Sequence, residues 1–109
     1  MSARRYEAED IIGALQQLHE HITGSKNMLI ELLRVRHDPD IRDLAQLSVS
    51  ASDLLTDLLR SLRVRAKHGS LALRRHEVEV ARSASLVSES IIRYLTIQAD
   101  EIDEEALVH

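Results

Sequence analysis

Apolar residues fall every three or four positions along almost the whole of this chain, and the phase is punctuated at only two places. The first row runs Ala8, Ile11, Leu15, Leu18, Ile22, Ser25, Leu29 and Leu32. The second runs Ile41, Leu44, Ser48, Ala51, Leu55, Leu58 and Leu62, and the third Leu73, Val80, Ala84, Val87, Ile91 and Leu95, with Gln98 and Ile102 near it. A period of 3.6 specifies amphipathic helices, and no stretch carries the alternation of a strand. The second and third rows echo each other. Residues 47–62, LSVSASDLLTDLLRSL, return 33 positions later as SASLVSESIIRYL, with Ala51 over Ala84, Leu58 over Ile91, Arg60 over Arg93 and Leu62 over Leu95.

The two breaks set the topology. At His37-Asp38-Pro39-Asp40, Asp38 suits a cap, Pro39 the first helical position and Asp40 the first turn. At Gly69-Ser70, the glycine suits the position after a helix end and Ser70 the N-cap of the next. The spacing predicts helices over about 4–37, 40–68 and 71–104, each about 45 Å long at 1.5 Å per residue. Equal lengths and short loops imply a single all-α domain, 1–109, an up-down-up bundle of three long antiparallel helices with coiled-coil packing. The alternative is four helices with a break at Gly24-Ser25. Unbroken apolar phase there favours one helix, since a mid-helix glycine costs only ~1 kcal/mol.

Composition narrows the function classes. With two Tyr, no Phe and no Trp, the core is aliphatic, which suits helix-on-helix packing better than a sandwich or barrel. Without cysteine there is no disulfide framework, thiol nucleophile or thiolate metal site. No run approaches the ~18 apolar residues of a membrane span, and the N-terminal MSARRYEAED lacks an apolar signal core, so a soluble, cytoplasmic protein away from membranes is expected. A net charge of −4 argues against nucleic acid as partner. In the predicted bundle Arg4, Arg5, Arg63, Arg65, Lys67, Arg74 and Arg75 gather at the end holding the second loop. Asp38, Asp40, Asp43 and residues 100–105 gather at the other.

Aligning three antiparallel helices by height brings polar residues together inside the apolar seam. His19 and His21 fall level with Ser50, Ser52, Asp53, Ser83 and Ser85, while Ser25, Ser48 and Ser88 share a second layer and Gln98 lies near the seam further on. The layers read either as buried hydrogen-bond networks or as serines bonding back to their own helices. His19 and His21, two apart, point in different directions and cannot share an ion. There is no His-Glu-x-x-His motif and no Glu-x-x-His pair. His68 and His76, with Glu7, Glu9 or Glu77, mark the one end where a metal set could assemble. Arg63 and His68 match the Arg-x4-His spacing of HEPN-type ribonucleases, with Val64 where that family carries a polar residue; the resemblance implies a catalytic Arg63–His68 pair. In the leading reading there is no catalytic residue, no cofactor and no metal.

In layout the chain resembles spectrin repeats and the BAG and GAT adaptor domains, without spectrin's tryptophans. Along its whole length it also resembles a computationally designed (de novo) bundle. It has no Cys, Trp or Phe, minimal Asp-Pro-Asp and Gly-Ser loops, and layered polar residues; the excess of Arg over Lys, six histidines and mid-helix Gly13 and Gly24 depart from that pattern. Both resemblances imply a non-enzymatic structural or protein–protein interaction module. Ile12, Met28, Ile30, Leu33, Val35, Leu47, Leu54 and Leu59 widen the apolar stripes beyond what one seam needs. The excess predicts an oligomer of the chain with itself, or another helical protein in a groove.

Overall fold

The computed structural model describes residues 5–66 and 70–108, with side-chain surroundings for 7–66 and 71–100. Three helices follow one another: α1 (Ala8–Val35), α2 (Pro39–Arg65) and α3 (Arg75–Val108). All three pack against one another in an elongated body of 60 × 23 × 21 Å, an all-α three-helix bundle. No helix among the described residues is long and apolar enough to cross a membrane.

α1 runs unbroken through Gly24, so three helices form and not four. The turn into α2 is built as its residues dictate. Asp38 is the N-cap, its Oδ1 accepting from the Asp40 N–H at 2.9 Å, and Pro39 occupies the first helical position, where no donor is missed.

The other end departs from expectation. Two three-residue strands, β1 (Arg5–Glu7) and β2 (Ser70–Ala72), pair antiparallel with Arg5 opposite Ala72, Tyr6 opposite Leu71 and Glu7 opposite Ser70. The predicted absence of strands is thus corrected: three residues are too few for an alternating pattern to register. Pairing brings Leu71, 3% exposed, onto the core. α1 accordingly starts at Ala8 and not near residue 4. α2 closes at Arg65, with the Ala66 N–H on Leu62 O at 2.9 Å. Ser70 lies in a strand and not at the start of a helix; α3 begins at Arg75, four residues after the predicted start. Gly69 lies outside the described residues.

The core forms two clusters. The larger joins Ala8, Leu15 and Ile22 of α1, Ala51, Leu55, Leu58, Leu59 and Leu62 of α2, Ala84 of α3 and Leu71. The smaller holds Leu29, Ile41, Ala45 and Ile91. Leu59, expected to widen an outer stripe, is 4% exposed and belongs to the larger cluster, because its spacing of four from Leu55 and three from Leu62 puts it on the face of those fully buried residues.

A methyl group added at Gly24 meets nothing within 4 Å, and the site is on the exposed side of α1. Gly24→Ala should therefore stabilise the fold by about 0.5–1 kcal/mol through helix propensity alone, raising Tm by about 3–6 °C in a thermal melt followed by circular dichroism.

Candidate functional site

Polar groups within an aliphatic bundle are costly unless partnered, so they mark where the structure is specified. The most buried ionised group is Glu77 in the first turn of α3, 2% exposed. Arg65, the last residue of α2, meets it bidentately: Nη1 donates to Oε2, and Nη2 to Oε1 at 2.7 Å. Nη2 also donates to the Ala72 carbonyl at 3.1 Å, and Glu77 Oε1 accepts the Arg74 N–H at 2.8 Å. Glu77 thereby fills the acidic half of a capping box, three residues after an N-cap that is Arg74 and not Ser or Thr. The cluster ties α2, β2 and α3 together. The Arg65 guanidinium beside Glu77, helped by the Arg74 N–H, holds its carboxyl below the usual range against the opposing effect of burial.

Between α1 and α2 lies a second polar group. His19 Nε2 is 3.0 Å from Thr56 Oγ1 and 3.4 Å from Ser52 Oγ, and Thr23 Oγ1 is 3.2 Å from Ser52 Oγ. Thr56 also donates to Ser52 O at 2.9 Å. Sequence reasoning placed Ser52 near His19 but missed Thr23 and Thr56, whose spacing from His19 and Ser52, four residues each, puts each pair on one helical face.

Ser25, Ser48 and Ser88 are all buried, and they lie where the core divides: each sits on its own helix between members of the two clusters. Ser48, with no exposed surface, donates to its own Leu44 carbonyl at 2.7 Å. Among the described residues no hydrogen bond joins the three serines, so they form a belt of small side chains and not a network.

The other expected layer residues are placed differently. His21 is exposed, two positions from half-buried His19 and so well round the helix from it. Ser85 is exposed because Ala84 and Ser88 take the inward positions. Gln98 is half-buried and accepts from Arg36 Nη1 at 2.9 Å, tying α3 to the end of α1. Nearby, the Tyr94 hydroxyl donates to Asp38 Oδ2 at 3.2 Å; burial, and then the Asp38 charge, push its pKa up.

No catalytic geometry emerges among the described residues. Arg63 is exposed and donates to Gln16 Oε1 at 3.3 Å; its expected partner His68 lies outside the described residues. Glu77 is committed to Arg65, His76 is exposed, and no three His, Asp or Glu side chains converge as ligands among the described residues.

The remaining feature is apolar surface. Leu47, Leu54, Leu86 and Ile97 are each 50–57% exposed. A groove of about 390 Å³ between α2 and α3 is walled by Asp40, Asp43, Leu44 and Leu47 on one side and Ser90, Arg93, Tyr94 and Ile97 on the other. Leu54 extends the α2 wall by two helical turns, and Leu86 extends the α3 wall by one. A second apolar groove, about 320 Å³, runs between α1 and α3 by Met28, Leu32, Leu95 and Ala99, with the Arg36–Gln98 bond among its lining residues.

Compared with known proteins, the chain matches no family model, no curated protein and no solved structure.

Two measurements test the polar sites. Glu77→Gln should cost about 2–3 kcal/mol, towards the low end for a broken buried pair because the Arg65 side chain stays 23% exposed. A carboxyl whose pKa is depressed by folding adds stability above its unfolded value and loses it as pH falls through the folded one. The variant's denaturant midpoint should therefore fall less than the parent's below about pH 4.3. Conversely, alanine at Ser25, Ser48 and Ser88 together should change stability by no more than about 1 kcal/mol per site in urea titrations, since only a backbone back-bond is lost.

Proposed function

We propose that this chain is a non-catalytic interaction module, a three-helix bundle that associates with a helical partner or with its own copies. The observation that carries this reading is uncovered apolar surface at the α2–α3 groove: Leu47 and Ile97 line it, Leu54 and Leu86 continue the same helical faces beyond it, and each is at least half exposed. Single exposed apolar side chains are ordinary, but a row of them along one groove is what a helix-in-groove contact uses as anchors. Met28, Ile30 and Val35 on α1 add exposed apolar surface, as their spacing predicts. The polar groups described above support the same reading, since each is spent on packing helices together and none is arranged towards a substrate.

Association can be read in two ways on the same sample: light scattering of the chain itself across micromolar concentrations, and anisotropy of a labelled Leu-rich amphipathic helix added to it. The expected result is association in at least one. Leu47→Glu with Leu54→Glu should abolish it while leaving helicity and melting unchanged, because both side chains are already half in water. A strict monomer that ignores the added helix overturns the proposal.

A further inference from the structure

The α2–α3 groove carries a charge arrangement that selects its occupant. Its α2 wall carries the row Asp40, Asp43 and Leu47, continued beyond the groove by Leu54, and its α3 wall the row Ser90, Arg93 and Ile97, continued by Leu86, each at three-to-four-residue spacing or multiples of it. The helices are antiparallel, so Asp40 stands near the height of Ile97, Asp43 near that of Arg93, and Leu47 near that of Ser90. Asp43 and Arg93 are both exposed, and among the described residues neither belongs to an ion pair. The groove thus presents, at one height, an unpaired anion on one wall and an unpaired cation on the other.

We infer that the occupant is the same face of a second copy of this chain, related by a two-fold axis running along the groove. The inference rests on the interaction reading above. Such an axis carries each wall onto the opposite wall of the other copy without changing its height. It sets Asp43 against Arg93 of the second copy, and does so twice. Leu54 and Leu86 of the second copy come within about one helical turn in height, and Leu47 and Ile97 are covered between them. The product is a four-helix layer in which every neighbouring pair is antiparallel, α2 along α3 of the second copy.

The other two-fold arrangement, with its axis across the groove, inverts height. Centred on Leu47, it brings Asp43 towards Ala51 of the second copy and Arg93 towards Val87, so neither charge gains an opposite partner. The contact spans about 20 Å of two helices, each about 10 Å wide, or about 400 Å² per copy, in the range of weak, transient interfaces. The dimer is therefore expected to be weak and reversible.

Sedimentation equilibrium of the full chain at fixed salt tests the arrangement by charge reversal. Asp43→Arg alone and Arg93→Asp alone should each weaken self-association about tenfold, since each places two like-charged pairs in the interface. The double variant should return to within about threefold of the parent. A mixture of the two single variants should associate where neither does alone, because each then offers the other opposite charges at both contacts. Circular dichroism controls for folding, and both sites are exposed. A dimer indifferent to either single reversal overturns this arrangement and leaves the interaction reading standing. A chain that stays monomeric yet binds the added amphipathic helix does the same. Only failure of both overturns the two together.

Discussion

The end of the bundle hangs on one ion pair. Arg65 closes α2, Glu77 lies in the first turn of α3, and the described residues between the two helices, 66 and 70–74, are not helical. Through its bidentate contact with Glu77 and its bond to the Ala72 carbonyl, Arg65 fixes where the chain re-enters the bundle. Leu71 can then reach the core and β2 can lie beside β1. Removing both charges together would be far less damaging than removing one, because a lone buried carboxylate or guanidinium has nothing to replace the water it gave up. The opposite end uses a lighter version of the same device: Tyr94 and Gln98 of α3 hold Asp38 and Arg36 at the α1–α2 turn.

This division explains what could be read from the sequence. The three helices, the unbroken passage through Gly24 and the Asp38-Pro39-Asp40 turn follow from local rules that operate within a few residues. So does the inward row of Ser25, Ser48 and Ser88, which shares the phase of the leucines around it. The strands and the start of α3 do not. Ser70 looks like a cap because serine generally is one, whereas the true N-cap is an arginine, and the residue satisfying its amide lies three positions ahead. Only the long-range contact with Arg65 reveals Glu77 as buried, and nothing in the spacing of charges distinguishes it from exposed Glu79.

The candidate surface was legible in outline and blurred in detail. Excess leucine is a property of composition, and Leu47 and Leu54 do remain exposed, but Leu59 is swallowed by the core on the face of Leu55 and Leu62. The 33-residue echo diverges at the same point: Leu58 and Ile91 are both buried, while Leu59 is buried and its counterpart Ile92 is half exposed. Two similar sequences therefore differ in how much apolar surface they leave outside.

The serine belt has a consequence for how the molecule breathes. Hydroxymethyl side chains bury little apolar area and make few dispersion contacts, so the belt is a weak plane across an otherwise continuous stack. Among the described residues, ten buried apolar residues lie on the side anchored by the ion pair and four on the other. Opening free energies track such contacts, so the half containing the α1–α2 turn is expected to exchange its amide hydrogens at lower cost. The α2–α3 groove, through its lining residues Leu44 and Tyr94, borders the smaller cluster of that half.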